Sequence, residues 1–176
     1  MKNAVVLFLL RQSDKEVLLA QKHKGSEIAG LKWNGYGGKI ELGETPVIAM
    51  IRETVEETNS SILIKEKDLK YGGIISFYNS DGISDFRVHI FYCSDAFTGQ
   101  PLSTEVMINP TWFALDRLDQ VDMMPADRLF LPIILKDKKV ISGEVVFEKG
   151  FKGVKKFSYK EISTKEISKL LGEVQE

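Results

Sequence analysis

Short apolar runs alternate with polar and glycine-rich segments along the chain, and this pattern predicts both strands and helices. Residues 4–10, AVVLFLL, form an unbroken apolar run typical of a buried strand. Residues 17–22 repeat the pattern after the turn-forming segment RQSDKE, so the two runs predict a β-hairpin. Further strands are predicted at residues 61–66, 71–78, 86–93 and 111–114.

The glycine-rich segment that follows the hairpin, residues 23–44, predicts a long loop. It contains a short predicted strand near Trp33–Tyr36 or Gly38–Ile40. Its glycines allow the backbone to approach a ligand closely, because they carry no side chain.

The clearest helix comes directly after this loop. Thr45 can cap its N-terminus, and Pro46 suits the first helical position. Asn59 tolerates the left-handed conformation in which many helices end, so the helix is predicted to stop near it. Apolar residues recur at helical spacing between these signals, at Val47, Ile48, Ile51 and Val55.

The C-terminal third predicts two more helices and a second hairpin. Residues 126–135, ADRLFLPIIL, form a predicted helix despite Pro132, and residues 164–174 form another, with Ser163 or Thr164 as its cap. Between them, residues 139–162 predict a hairpin whose turn lies near Lys149–Gly153.

This order of elements predicts an α/β fold. Hairpins combined with a crossover helix favour an α/β sandwich around a mixed sheet. A length of 176 residues favours one domain, residues 1–176, in which residues 163–176 form a C-terminal helical appendage.

Composition narrows the possible partners. The net charge of −1 argues against a protein that binds duplex nucleic acid, although a small phosphate ligand needs only local positive groups or a metal ion. Lysines on the C-terminal hairpin are interpreted as protection of an exposed sheet edge. Monomer and dimer both remain open.

The single cysteine and the short apolar runs indicate the cellular compartment in which the protein is expected. Cys93 cannot form an internal disulfide, and its alternating apolar surroundings predict a buried thiol in a reducing, cytoplasmic compartment. No apolar run approaches the roughly 18 residues of a membrane span, so no membrane segment is expected.

Carboxylates crowd the end of the first predicted helix. Glu53, Glu56 and Glu57 fall at positions i, i+3 and i+4, where side chains are neighbours and like charges repel. Negative charge is also unfavourable at a helix C-terminus. A divalent cation would reverse the sign of these interactions, and oxygen ligands suit Mg²⁺. A solvated acidic face is the alternative interpretation.

The segment around this cluster resembles the signature of the Nudix hydrolases. The spacing is Gly, five residues, Glu, seven residues, Arg-Glu, two residues, Glu-Glu. It is carried by Gly38, Glu44, Arg52, Glu53, Glu56 and Glu57. The chain departs from the family pattern at Thr54, Asn59 and Ser60.

The resemblance implies roles for these residues and for the fold, a Nudix-type α/β/α sandwich. Glu53, Glu56 and Glu57 would hold Mg²⁺, with Mn²⁺ as a possible substitute, together with the carbonyl group of Gly37. Arg52 would orient the glutamates. Glu44 would support Arg52.

The general base is left open by the resemblance. It would be a glutamate of the signature, such as Glu53 or Glu57, or one from a distant loop. Glu105, in PLSTEVMINP, is the candidate from outside, as base and as metal ligand. An ordinary loop glutamate is the alternative interpretation of Glu105.

Four further stretches resemble the mammalian-type purine nucleoside triphosphatases that remove oxidised nucleotides. They are WNGYGGKIELGET, DFRVHIFYCSDAFTGQP, PTWFALDRL and MMPAD. This resemblance implies cleavage of purine nucleoside triphosphates to nucleoside monophosphate and pyrophosphate. The alternative substrates are a nucleotide sugar and a dinucleotide. The alternative function is that of a catalytically silent nucleotide sensor.

The same resemblance implies a base-binding site. Asn34 and Asp127 would contact the base, and Lys22 falls where the family has a pocket lysine. Met124 replaces a tryptophan that stacks on the purine, and Ala126 replaces a second acid, so strict selectivity for 8-oxo-guanine is not expected. Asn34 as a turn residue and Asp127 as a helix cap are the structural alternatives.

Overall fold

The computed structural model describes residues 1–23, 30–79 and 85–175. The predicted loop segment at residues 24–29 lies outside this range. The strands of the described residues are β1 (Lys2–Arg11), β2 (Glu16–Lys22), β3 (Trp33–Asn34), β4 (Ile62–Ile64), β5 (Lys70–Tyr78), β6 (Phe86–Ser94), β7 (Phe97–Gly99), β8 (Met107–Ala114), β9 (Ile141–Phe147) and β10 (Val154–Glu161).

Most of these strands form one mixed sheet. Its order is β10-β9-β5-β6-β1-β2-β3, and β8 also pairs with β2. The pairs β1–β6 and β5–β9 are parallel, whereas the other pairs in the sheet are antiparallel. β4 and β7 form a separate two-stranded ribbon.

The helices lie on both faces of the sheet. They are α1 (Pro46–Glu57), α2 (Asp127–Leu131), which continues into a π-helical turn (Pro132–Lys136), and α3 (Thr164–Leu171). Short 3₁₀ segments occur at Glu66–Asp68, Leu115–Gln120 and Lys149–Phe151. Among the described residues, no helix combines the length and the apolar character needed to cross a membrane.

β1 separates two hydrophobic clusters because successive side chains of a strand point to opposite faces. Phe8 and Leu10 belong to the cluster beneath α2. Val5, Leu7 and Leu9 belong to the cluster beneath α1.

The helices complete these clusters. α1 contributes Ala49 and Met50 to one cluster, and Leu171 of α3 packs against the same cluster. α2 contributes Phe130 and Leu131 to the other. The layers are therefore helix, mixed sheet, helix, which confirms the predicted α/β/α sandwich.

The local signals of α1 act as predicted. The Thr45 hydroxyl accepts the backbone N–H of Ile48, and Pro46 occupies the first helical position. The helix ends at Glu57, and Asn59 follows with a positive φ of 49°. Asn at this position therefore replaces the glycine of the family pattern without breaking the helix end.

Several predicted boundaries are wrong because tertiary pairing decides them. The strand predicted at residues 111–114 is the second half of β8. The first half was not predicted, because a bulge at Asn109, whose φ is 54°, interrupts the regular strand pattern. The predicted strand 61–66 shortens to β4, and its partner β7 was not predicted.

The two C-terminal helices also differ from their predictions. The segment 126–135 becomes α2 followed by a π-helical turn, because Pro132 cannot donate the hydrogen bond that a regular α-helix requires. α3 ends at Leu171 rather than at residue 174, because the N–H of Gly172 closes the helix on Ser168 and Lys169. Ser163, not Thr164, is its cap.

Gly73 is the position where the sheet depends most directly on glycine. Its φ is +135°, and a Cβ atom would lie 2.0 Å from the carbonyl oxygen of Ile141 on the neighbouring strand β9. We expect Gly73→Ala to lower the free energy of unfolding by about 3 kcal/mol, through backbone strain and overlap. Urea unfolding followed by circular dichroism measures this.

Gly153→Ala is the matched control for this substitution. Its Cβ would meet chiefly the flexible end of Glu148, at 2.9 Å, so the loss should stay well below that of Gly73→Ala. Equal losses for the two variants would contradict the steric explanation.

Candidate active site

Arg52 lies at the centre of a network of carboxylates. Its Nε and Nη2 donate to the two carboxylate oxygens of Glu44 at 2.7 and 2.9 Å. Its Nη1 donates to Glu53 at 2.9 Å and to Glu56 at 3.0 Å. Nη2 also donates to the carbonyl oxygen of Lys39 at 2.9 Å. One planar guanidinium with five N–H groups thus holds three carboxylates and the preceding loop.

Glu44 joins α1 to the loop before it. One of its carboxylate oxygens accepts the backbone N–H of Glu41 at 2.9 Å, in addition to the bonds from Arg52. The hydrogen bond from Arg52 lowers the pKa of Glu44. The pKa of Arg52 is raised in turn, first by Glu44. The two side chains are therefore charged partners in this structure.

Gly38 leaves room for Glu53. A Cβ atom at Gly38 would lie 2.5 Å from both carboxylate oxygens of Glu53, so any other residue here would displace that carboxylate. Burial raises the pKa of Glu53, although Arg52 counteracts the shift. The spacing between the glycine and the glutamate in the sequence signature thus has a steric reason.

Glu57 lies at the end of α1 against the glycine-rich loop. The backbone N–H of Gly37 donates to its carboxylate at 2.6 Å. Lys22 Nζ lies 3.4 Å from the carbonyl oxygen of Gly37. Burial raises the pKa of Glu57 to about 7, although the charge of Lys22 and the Gly37 hydrogen bond oppose this shift. Glu57 is thus a partly buried carboxylate whose burial outweighs the compensation from Lys22 and Gly37.

The donor atoms here fit a hard divalent cation. Glu53, Glu56, Glu57 and the Gly37 carbonyl group all offer oxygen, and a cation beside Glu57 would offset the burial that raises its pKa. Within residues 1–23, 30–79 and 85–175, no three carboxylate, histidine or cysteine side chains converge on one point. Arg52 Nη1 holds both Glu53 and Glu56, while the Gly37 N–H holds Glu57.

A cavity of roughly 380 Å³ opens beside this glycine-rich loop. Gly37 and Gly38 form part of its wall. All four residues expected to bind substrate also line it: Lys22, Asn34, Met124 and Asp127. The rest of the wall is largely apolar: Val6, Phe8, Phe77, Phe86, Val88, Ile90, Phe130, Phe147 and Phe151.

Asp127 is a buried carboxyl group in the cavity wall. It is 9% exposed, and burial raises its pKa to about 7. It occupies the first position of α2, whose N-cap residue is Ala126. The interpretation as a helix cap is therefore wrong.

Asn34 lies in β3 and not in a turn. The interpretation as a turn residue is therefore wrong as well. Asn34 Oδ1 accepts the N–H of Gly35 at 2.8 Å. This bond fixes the orientation of the amide, and its Nδ2 group keeps its donors for another partner.

The aromatic wall of the cavity was not predicted. Phe77 stacks on Phe147 with ring centroids 5.9 Å apart, and Phe151 meets Phe147 edge-on at 5.1 Å. These residues come from β5, from β9 and from the turn after β9. No local sequence signal unites them, because only the pairing of β5 with β9 brings them together.

The loop that carries Glu105 reaches the end of α1. The Thr104 hydroxyl donates to the backbone carbonyl of Glu57 at 3.0 Å, and the N–H of His23 donates to the carbonyl of Val106 at 3.0 Å. Glu105 itself is exposed and does not line the cavity. Thr104, which fastens the loop, was not predicted.

Two other polar side chains near the sheet are buried. The hydroxyl of Tyr36 has no hydrogen-bond partner among the described residues, and burial, followed by the charge of Glu57, raises its pKa. His89 Nδ1 lies 2.9 Å from the Tyr71 hydroxyl, and burial lowers the pKa of His89 to about 4. His89 is thus a packed histidine of the sheet. Cys93 is buried and free, as predicted.

Comparison with known families decides the assignment. A family model described as NUDIX domain matches residues 1–132. The chain belongs to the Nudix hydrolases. It is therefore a pyrophosphohydrolase, and enzymes of this family generally depend on a divalent metal ion.

Curated Nudix relatives carry names that describe a nucleotide substrate. The oxidized purine nucleoside triphosphate hydrolase of Mus musculus is 36% identical over 125 residues, which are 71% of this chain and 75% of that protein. The protein of the same name from Danio rerio is 34% identical over 127 residues, with coverages of 71% and 75%.

Solved structures support the Nudix fold. The crystal structure of a MutT protein from Bacillus halodurans aligns with a TM-score of 0.74, covering 91% of this chain and 98% of that one at 21% identity. The alignment therefore extends well past residue 132, where the family match ends.

Arg52→Lys tests the carboxylate network. A lysine ammonium is a point charge and cannot hold Glu44 through two bonds while also reaching Glu53 and Glu56, so we expect kcat to fall about 100-fold. Steady-state nucleotide hydrolysis measures this, with thermal unfolding as a check of the fold. Arg11→Lys is the matched control, because Arg11 pairs with Glu16 on the hairpin. Wild-type kcat in Arg52→Lys would contradict the role of the network.

Asp127→Asn tests the burial of the cavity carboxyl group. The pKa of Asp127 rises from 3.8 to about 7 on folding, so the native state holds a proton that the unfolded state releases. The stabilisation that this bound proton gives the native state is fully present below about pH 4 and is lost as pH rises through 7. Wild type should therefore lose roughly 2–3 kcal/mol more than Asp127→Asn between pH 5 and pH 8.

Urea titrations at the two pH values measure this difference. Asp116→Asn, which alters an exposed aspartate, should follow the pH dependence of wild type. If Asp127→Asn also followed it, the carboxyl group would not be titrating as described.

Proposed function

We propose that this Nudix hydrolase cleaves purine nucleoside triphosphates, including oxidised or otherwise modified ones, to nucleoside monophosphate and pyrophosphate in a Mg²⁺-dependent reaction. One observation carries the proposal. A single cavity is lined both by the expected base-binding residues Asn34 and Asp127 and by the loop residues Gly37 and Gly38, which contact the acidic end of α1. Base recognition and phosphate chemistry would therefore take place side by side.

Glu53, Glu56, Glu57 and the Gly37 carbonyl group are the proposed holders of the metal. Mg²⁺ bound there would neutralise phosphate oxygens and lower the pKa of a coordinated water. The network of Arg52 would keep the glutamates in place before substrate arrives, which is the preorganisation that phosphoryl transfer depends on.

Glu44 and Glu105 have different proposed roles. Glu44 would support Arg52 through its two hydrogen bonds. Glu105 would act as a base or additional metal ligand from the loop that Thr104 fastens to α1. A glutamate of α1 remains the alternative base.

The base would lie in the inner, apolar part of the cavity. Asn34 Nδ2 offers donors, and Asp127, with a pKa of about 7, offers a donor or an acceptor near neutral pH. Lys22 lies on the phosphate side, within 3.4 Å of the Gly37 carbonyl oxygen. The names of the mouse and zebrafish relatives agree with this substrate class.

A hydrolysis screen tests the substrate assignment. Canonical, 8-oxo and methylated purine triphosphates are compared with a dinucleotide and a nucleotide sugar, with and without Mg²⁺, and the products are identified by mass spectrometry. We expect purine triphosphates to have the highest kcat/KM and to yield monophosphate plus pyrophosphate. A preference for the dinucleotide or the nucleotide sugar would overturn the substrate class. Tight nucleotide binding without any turnover would indicate a sensor instead.

Glu57→Gln tests the metal assignment. The amide is isosteric and can still accept the Gly37 N–H, but it lacks the charge that would bind a cation, so we expect kcat to fall at least about 100-fold. Its stability should equal or exceed that of wild type, because a partly desolvated carboxylate is removed. Glu66→Gln, at an exposed site, is the matched control. Full turnover by Glu57→Gln would make the metal assignment wrong.

A further inference from the structure

The chain after α3 returns to the loop that precedes α1. The N–H of Gly43 donates to the carbonyl oxygen of Gln175 at 2.9 Å, and the N–H of Gln175 donates to the carbonyl oxygen of Glu44 at 3.0 Å. The Asn3 side-chain amide donates to Gln175 Oε1 at 2.7 Å. The tail, defined here as residues 173–175, thus pairs with the backbone of residues 43 and 44 and with the start of β1.

The tail also has contacts before Gln175. Glu173 pairs with Arg87 of β6 at 3.4 Å. Leu171 at the end of α3 packs against the cluster beneath α1. These contacts lead the chain from α3 across the sheet towards the loop.

The loop that the tail meets, residues 41–44, has an exposed tip. Leu42 is 81% exposed, and a Cβ atom at Gly43 would meet nothing within 4 Å. Inside the loop, the Glu44 N–H donates to the Glu41 carbonyl oxygen at 3.1 Å and the Glu41 N–H donates to the Glu44 carboxylate, which Arg52 also holds. The tail adds backbone hydrogen bonds from a distant part of the chain at Gly43 and Glu44.

Glu44 connects this contact to the catalytic helix. Its backbone carbonyl accepts from Gln175, and its carboxylate accepts two hydrogen bonds from Arg52. Arg52 in turn holds Glu53 and Glu56. A continuous series of hydrogen bonds thus runs from the tail to two of the proposed metal ligands.

We infer that the tail is a positioning element of the active site: by pairing with Gly43 and Glu44 it holds the Glu44 carboxylate in the place from which it orients Arg52. This inference rests on the proposed roles of Glu44 and Arg52. It assigns a function to residues that lie outside the family match at 1–132.

Deletion of residues 173–176 tests the inference, with hydrogen exchange as the direct readout. Loss of two backbone hydrogen bonds should increase the exchange rate of the Gly43 amide roughly tenfold. The Arg52 Nε–H signal in an NMR spectrum should also shift or broaden. Both measurements use the 176-residue chain and its variant without metal or nucleotide.

The kinetic consequence separates positioning from general destabilisation. We expect the deletion to lower kcat about three- to tenfold while KM for the nucleotide changes less than twofold, and to raise the Mg²⁺ concentration that gives half-maximal rate. The midpoint of thermal unfolding should move little, because the tail adds little to the core. Unchanged Gly43 exchange together with unchanged kcat would overturn the inference.

Two point variants keep the test decisive if the deletion disturbs α3. Gln175→Pro removes the N–H that bonds to Glu44 and should reproduce the kinetic loss. Gln175→Ala keeps the backbone pairing and removes the side-chain amide that accepts from Asn3, so it should retain most of the wild-type kcat. Equal kcat in Gln175→Pro and wild type would contradict the inference.

Glu44→Ala distinguishes a failure of this inference from a failure of the proposed function. If Glu44→Ala keeps full kcat, Glu44 does not support catalysis and the proposed network is wrong. If Glu44→Ala loses kcat while the tail variants do not, the network stands and the tail has no positioning role.

Discussion

The guanidinium of Arg52 is the interaction on which the acidic end of α1 depends. Three glutamates within five positions of one helix repel one another and also oppose the helix dipole. Arg52 compensates two of them directly and fixes Glu44 with two further bonds. The folded chain can therefore keep this charge pattern before any cation is bound.

Glu57 differs from the other two glutamates because Arg52 does not hold it. Its partner is the backbone N–H of Gly37, and burial moves its pKa to about 7. The charge of Lys22 and this neutral donor compensate the burial of the carboxylate only in part. A cation beside Glu57 would offset the remaining burial, and Gly37 brings the glycine-rich loop to that point. The contact between Gly37 and Glu57 therefore connects the fold of the loop with the proposed metal chemistry.

The features that could be predicted from the sequence are those that depend on residues close together in the chain. The Thr45 cap, the left-handed Asn59 and the acidic end of α1 all follow from residues within one or two turns of a helix. β7 and the first half of β8 could not be found in this way, because pairing with distant strands creates them. The aromatic wall of the cavity, formed by Phe77, Phe147 and Phe151, could not be predicted for the same reason. The pairing of Gln175 with the loop joins residues more than 130 positions apart, and no motif marks it.

The part of the cavity wall that contains Asp127 combines burial with a polar carboxyl group. Ala126 is fully buried in the cluster beneath α2. Asp127 follows it as a buried carboxyl group whose pKa burial raises to about 7. A group that is part protonated at pH 7 can donate to one base edge and accept from another. Under the proposed function, Met124 would offer the base an adaptable surface, which favours acceptance of several purines over sharp discrimination among them.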